Sequence, residues 1–141
     1  MEPSEEIRRV VHRWLVANTE GDADAVMARI SEQPGMLAIG TDGDEWWYAA
    51  ERAVWRRQIE ESGGFPVAWD QIEAWEEGSV GWAGMKMTIR PLTGSGDTSE
   101  IRATYVLHLE RGDWKIVQVH WSLGSSGNVD LLGVELPVSL E

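Results

Sequence analysis

The chain has 141 residues, 24 of them acidic and 12 basic, and a formal net charge of −12. This length corresponds to one domain, and its 43% hydrophobic residues are enough for a substantial core. The acidic balance argues against nucleic acid as a partner, because phosphate binding needs a basic face. The sequence contains no cysteine and no apolar stretch of about 20 residues, which excludes disulfides and predicts no membrane partner. We expect an acidic, cytoplasmic globular domain.

Three helices are predicted in the first half of the chain, with a short strand at 36–41 between the second and the third. The first helix carries apolar residues at the spacing of one helix face over 7–15, and it ends at Gly21. Asp22 caps a shorter second helix. The third helix spans about residues 48–62. Four of its residues are expected to face inward: Ala50, Val54, Trp55 and Ile59.

After Phe65 the hydrophobic period changes to two, which predicts antiparallel strands. The expected strands cover residues 67–76, 79–92, 100–110 and 114–123. The order α-α-β-α-β-β-β-β predicts an α+β fold in which three helices pack on one face of a curved antiparallel sheet. We expect residues 1–124 to form this domain, and residues 125–141 to be its tail or an edge strand.

Two segments carry a family resemblance. They are GTDGDEWW at 40–47, which joins the first predicted strand to the third helix, and WKIVQVHWS at 114–122, the last predicted strand. Together with the helix pair around Gly21-Asp22, they make the chain resemble the SnoaL-like group of the NTF2-like superfamily from residue 5 to about 124. The resemblance implies an NTF2-like cone, a pocket between the first helix, the third helix and the concave sheet face, and a homodimer formed through the outer sheet face. It leaves the activity open, because this fold hosts isomerases, cyclases, dehydratases and assembly modules.

Ketosteroid isomerases of this superfamily use an Asp base and an oxyanion hole made by a Tyr and a protonated Asp. Trp14 stands where the resemblance places the Tyr, and Gly40 and Thr41 stand where it places the base. Val106 or Leu107 stands in place of the protonated Asp. Since all three positions depart, we do not expect steroid isomerisation by that mechanism.

Two histidines in the last two strands are candidates for proton transfer. A two-residue turn at Gly112-Asp113 would place them on opposite sheet faces. The resemblance to the isomerases implies that the face with Val106, His108 and Trp121 is the concave one, which looks towards the cavity. His108 is then either a proton-transfer group or a histidine that only makes hydrogen bonds within the sheet. His120 is expected to be structural, with a catalytic role as the alternative.

An acidic loop of Asp42, Asp44 and Glu45 is expected at the mouth of the pocket. If chemistry occurs there, Asp42 and His108 are the candidate catalytic residues. Otherwise Asp42 and Asp44 make turn hydrogen bonds, and Glu45 caps the third helix. The spacing lacks the alternating ligands of a calcium loop. We therefore expect no metal and no cofactor.

Nine tryptophans are unusual in a chain of this length, and they are either mainly core residues or partly the lining of a cavity for a flat apolar ligand. We predict a domain that binds a small, largely apolar, aromatic or polycyclic molecule. The alternatives are a cofactor-independent acid/base enzyme of isomerase, cyclase or dehydratase type, and a dimeric assembly module with a vestigial pocket, in which charging Leu107 or Leu109 would produce monomers. The candidate ligand-binding residues are Trp14, Trp47, Trp55, Val106, His108, His120 and Trp121.

Overall fold

The computed structural model describes residues 1–89 and 98–123, so the predicted tail 125–141 lies outside the described residues. The α+β class and the packing of three helices on a curved sheet are confirmed. The helices are α1 (Glu5–Glu20), α2 (Ala23–Arg29) and α3 (Arg52–Ser62), with a 3₁₀ turn at Ala49–Glu51. The strands are β1 (Glu2–Pro3), β2 (Leu37–Ile39), β3 (Trp46–Tyr48), β4 (Val67–Trp69), β5 (Glu73–Glu77), β6 (Val80–Ile89), β7 (Ser99–Glu110) and β8 (Asp113–Leu123).

The strands form a single sheet in the order β1-β5-β6-β7-β8-β2-β3, and β4 also pairs with β6. The sheet is mixed and not purely antiparallel, because β2 pairs with β8 in parallel. The segment 67–76, predicted as one strand, is two separate strands that both pair with β6. None of the helices in the described part of the chain is long and apolar enough to span a bilayer.

The helices lie on the concave face of the sheet and supply ten of the 26 buried hydrophobic residues of the described core. Ser4 caps α1 by accepting a hydrogen bond from the backbone N–H of Ile7 at 3.1 Å. The apolar stripe of this helix is buried, as its spacing predicts. On α3 the prediction was only half right: Trp55 and Ile59 are buried, whereas Ala50 and Val54 are exposed. The helix begins four residues later than expected, because 46–48 forms β3 and pairs with β2.

The β7–β8 hairpin differs from the predicted register in two places. Its turn residues are Arg111 and Gly112, which both have positive φ (51° and 84°), a geometry typical of a type I′ hairpin turn. The register then shifts beyond Leu107, leaving Val117 as an extra bulge residue in β8. The bulge places both histidines on the outer face, His108 opposite Lys115 and His120 opposite Thr104, whereas the turn offset alone shifts the pairing by two residues and leaves the faces unchanged. The prediction that the histidines lie on opposite faces was therefore wrong.

Candidate functional site

A cavity of about 260 Å³ lies between α1, α3, the β2–β3 loop and the concave face of the sheet. This is the place that the first and third helices were expected to enclose. Its walls are mainly apolar, and two of its polar groups, Thr41 and Glu45, belong to the β2–β3 loop. The lining residues are Trp14, Asn18, Ala38, Ile39, Gly40, Thr41, Glu45, Trp47, Trp55, Gln58, Phe65, Ile89, Val119 and Trp121.

Four indole rings form one connected aromatic group in this cavity. The ring of Trp14 meets those of Trp55 and Trp121 edge to face, with centroids 6.1 Å and 6.3 Å apart. The ring of Trp47 lies 5.7 Å from that of Trp55 at a tilt of 39°. Such edge-to-face pairs stabilise each other and hold the rings in place. Two helices (α1 and α3) and two strands (β3 and β8) therefore contribute to a single preformed aromatic surface.

Two of the indole N–H groups are already engaged in hydrogen bonds inside the protein. Nε1 of Trp14 donates to the carbonyl of Val26 at 3.1 Å, and Nε1 of Trp121 donates to the hydroxyl of Tyr105 at 2.9 Å. Burial raises the pKa of Tyr105, so its hydroxyl stays protonated. What Trp14 and Trp121 offer to a ligand is consequently their carbon surface and not a hydrogen-bond donor.

Glu45 is the acidic residue that lines the cavity. Its side chain turns back over the β2–β3 loop, where Oε1 accepts a hydrogen bond from the backbone N–H of Asp42 at 3.1 Å. Burial raises the pKa of Glu45, and the nearby charge of Asp42 adds to this effect. The hydrogen bonds from the Asp42 backbone and from the side chain of Gln58 act in the opposite direction on this pKa. Glu45 is thus a half-buried carboxyl group that is held in position by neutral donors.

The structure brings together four of the predicted ligand-binding residues, namely Trp14, Trp47, Trp55 and Trp121. It does not bring the other three to them. Val106 and the two histidines lie on the outer face of the sheet, away from the cavity, for the register reason given above. Asp42 is exposed in the loop at the cavity mouth and contributes its backbone, while its neighbour Glu45 contributes the carboxyl group.

His108 belongs instead to a polar groove beside the end of α2. Its Nδ1 lies 3.4 Å from the Glu110 carboxylate, which also accepts a hydrogen bond of 2.8 Å from the buried hydroxyl of Ser31. Since His108 and Asp42 lie at different places in the fold, they do not form a catalytic pair. Within residues 1–89 and 98–123, no three His, Asp or Glu side chains are grouped in a way that could hold a metal ion.

Sequence reasoning did not assign Asn18 and Gln58 to the site, and it assigned Glu45 to a helix cap. A signal for the first two was present, because Asn18 follows Trp14 by four residues and Gln58 follows Trp55 by three. Those spacings put each polar residue on the same helix face as a predicted cavity tryptophan. Nothing comparable distinguishes Glu45 from Asp42 and Asp44 in the sequence, because the three are adjacent in one turn.

The SnoaL-like domain family matches residues 7–126, which is most of the chain. The chain belongs to this family. Solved structures of NTF2-like proteins share its fold. No curated protein sequence matches this SnoaL-like domain.

Three solved structures illustrate the likeness. An NTF2-like protein of unknown function from Pseudomonas putida KT2440 has 17% identity and a TM-score of 0.72, covering 87% of both chains. An NTF2-like superfamily protein from Salmonella enterica serovar Typhimurium LT2 has 17% identity and a TM-score of 0.71, covering 89% of this chain and 93% of that one. A Xanthomonas campestris protein, provisionally named a calcium/calmodulin dependent protein kinase II association domain, has 14% identity and a TM-score of 0.67, covering 89% and 96%. These identities establish a shared fold.

Proposed function

We propose that this SnoaL-like domain binds a small, flat, largely apolar molecule in the tryptophan cavity. The observation that carries the proposal is the convergence of four indole rings on one space of about 260 Å³. A cavity of about 150 Å³ accommodates benzene, so this one has room for about one or two rings. The size favours a monocyclic or bicyclic ligand over the larger polycyclic molecules that the sequence left open.

The lining supports binding because it is preformed. The rings of Trp14 and Trp121 are anchored by their N–H hydrogen bonds, so a ligand would meet an ordered wall and would lose little entropy in ordering it. Polar groups at one end, from Gln58 and Glu45, would fix the orientation of a ligand with one polar substituent.

The test is to measure whether the cavity is used, with a variant that removes one ring and leaves the core intact. Trp47 is half-buried, whereas Trp14 is almost fully buried. Replacing Trp14 would destabilise the folded protein as well as enlarge the cavity, and the two effects could not be separated. We expect Trp47→Leu to weaken the binding of naphthalene about tenfold, because one aromatic contact is lost. Native mass spectrometry of the freshly purified protein shows any retained ligand, and NMR titration with naphthalene measures affinity.

The matched control is Trp82→Leu, which makes the same replacement on the outer face of the sheet. It should leave the affinity for naphthalene unchanged. A wild-type protein whose indole N–H signals do not respond to naphthalene, and which carries no retained molecule, would contradict the proposed function.

A second candidate function is cofactor-independent acid/base catalysis, and the observation that favours it is the half-buried carboxyl group of Glu45. A carboxyl group whose pKa is raised by burial is suited to proton transfer near neutral pH. Glu45 here takes the role that the sequence suggested for Asp42. His108 has no place in this version, because it lies in the groove beside α2.

We also propose a homodimer that forms through the outer face of the sheet. Trp75 and Trp82 stack on that face with ring centroids 6.3 Å apart, and Trp82 remains 36% exposed. An exposed aromatic pair of this kind is typical of protein interfaces. The provisional association-domain name of the Xanthomonas campestris protein agrees with an assembly role for this fold.

A further inference from the structure

The ionisable groups that line the cavity are of one sign. Of the residues that the structure describes as lining it, Glu45 alone carries an ionisable group, and it is acidic. The other polar lining groups are neutral amides and a hydroxyl, from Asn18, Gln58 and Thr41. A ligand inside this cavity therefore meets one acidic group, and mainly aromatic and aliphatic carbon elsewhere.

Glu45 has no basic partner within the described residues. The ion pairs observed there do not include it, and its two identified hydrogen bonds come from a backbone N–H and an amide side chain. Two of the three basic residues of α3 are directed elsewhere: Arg52 donates to the carbonyls of Ile30 and Met27, and Arg56 pairs with Asp24. A half-buried carboxylate that has no counter-charge among the described residues is costly to keep ionised, and a cationic ligand would lower that cost.

The aromatic walls favour the same sign of charge in a ligand. The face of an indole ring carries partial negative charge and attracts a cation placed within about 6 Å of it. Trp47 lies two residues beyond Glu45, and its ring packs beside that of Trp55, which is three residues before Gln58 on α3. Gln58 donates to the Glu45 carboxyl group, and both rings line the same cavity, so the carboxyl group belongs to the part of the lining that Trp47 and Trp55 also form.

We propose that the ligand of this cavity is an organic cation, a small molecule that carries an alkylated or protonated nitrogen next to an apolar or aromatic group. Its charge pairs with the Glu45 carboxylate and with the faces of Trp47 and Trp55, while its apolar part contacts Trp14 and Trp121. This inference rests on the proposed binding function and adds the charge of the ligand to it.

The experiment compares two probes of nearly the same shape, phenyltrimethylammonium and its neutral isostere tert-butylbenzene. Both are titrated into wild-type protein and three variants, Glu45→Gln, Asp44→Asn and Trp82→Leu, with indole N–H chemical shifts as the measurement. The Glu45→Gln side chain can still accept the hydrogen bond from the Asp42 backbone, so the loop is retained. Asp44→Asn removes the same charge from the exposed neighbouring position.

In the wild type we expect the cation to bind about tenfold more tightly than its neutral isostere. Glu45→Gln should remove most of that preference and leave the affinity for tert-butylbenzene within about twofold. Asp44→Asn and Trp82→Leu should preserve the preference.

Equal or tighter binding of tert-butylbenzene by the wild type would overturn the cation proposal and leave the apolar binding function standing. A preference for the cation that Asp44→Asn reduces as much as Glu45→Gln would also overturn it, because general surface charge would then be the cause. Binding of neither probe would count against both the cation proposal and the binding function.

Discussion

At the scale of single residues, Gly40 decides where the Glu45 carboxyl group lies. A β-carbon placed on Gly40 would come within 2.5 Å of Glu45 Oε2 and 2.8 Å of Glu45 Cβ. The same residue donates its backbone N–H to the Glu45 carbonyl at 2.9 Å, which closes the β2–β3 loop. Glycine is needed here for space and not for an unusual backbone angle, and the space is filled by the one acidic side chain of the cavity.

We therefore predict that Gly40→Ala displaces the Glu45 side chain from its position. Overpacking of this kind costs about 1–3 kcal/mol in the free energy of unfolding. Urea denaturation measures that cost, and NMR shows whether the signal of the Asp42 backbone N–H moves as its hydrogen bond to Glu45 is lost.

Gly43→Ala is the control for this prediction, since a β-carbon on Gly43 meets nothing within 4 Å. Its effect on unfolding should stay within about 0.5 kcal/mol. Equal effects of the two alanine substitutions would show that crowding by Glu45 is not the reason for glycine at position 40.

At the scale of elements, the C-terminal ends of α1 and α3 meet at a pair of glycine caps. Gly21 ends α1 at φ 71° and Gly63 ends α3 at φ 72°, so both adopt the left-handed conformation of a helix C-cap. A β-carbon on Gly21 would lie 2.4 Å from the carbonyl oxygen of Gly63. This close approach sets the distance between the helices that carry Trp14 and Trp55.

The two caps provide a matched pair of substitutions. Gly63→Ala should cost about 1–2 kcal/mol, because it introduces only the strain of a left-handed alanine and no atom lies within 4 Å of the new β-carbon. Gly21→Ala should cost about 1–3 kcal/mol more, since it also forces the two helix ends apart.

Chemical denaturation of both variants measures this difference, and near-ultraviolet circular dichroism shows whether the tryptophan cluster is disturbed in Gly21→Ala alone. Equal losses of stability in the two variants would mean that crowding between the two caps adds nothing to the cost of Gly21→Ala.

At the scale of the whole molecule, the sheet has one face covered by helices and one that carries the aromatic pair Trp75 and Trp82. A β-carbon placed on Gly81 would lie 2.1 Å from Cδ1 of Ile7, so Gly81 faces inward and its neighbour Trp82 faces outward. The outer face is where the proposed homodimer would form. Leu107, which the sequence suggested as an interface residue, is fully buried on the inner face, and charging it would unfold the domain instead of dissociating a dimer.

We predict that Trp82→Glu converts the dimer to a monomer, because it places repelling charges on the two-fold interface. Val54→Glu is the control, since Val54 is 53% exposed on α3, away from the sheet. Analytical ultracentrifugation measures the molecular mass of both variants and of the wild type. A wild type that is monomeric at all concentrations, or a Trp82→Glu variant that stays dimeric, would contradict the outer-face dimer.

The sequence by itself determined the features that depend on local periodicity. The stripe of α1, the period-two strands and the family resemblance follow from the order of side chains along the chain, since helix and strand periods depend on backbone geometry. Trp14 and Trp55 were also within its reach, because they lie on helices whose inward faces are marked by spacing, whereas Trp47 lies on a strand that the sequence did not predict.

Only the tertiary structure decided which groups meet. The choice of Glu45 over Asp42 depends on how the loop folds back over Gly40, and three adjacent acids give no local signal for it. The position of His108 on the face opposite Trp121 depends on the bulge at Val117, because one residue of register exchanges the two faces of a strand. The parallel pairing of β2 with β8 likewise joins segments about 80 residues apart, a separation over which side-chain periodicity carries no information.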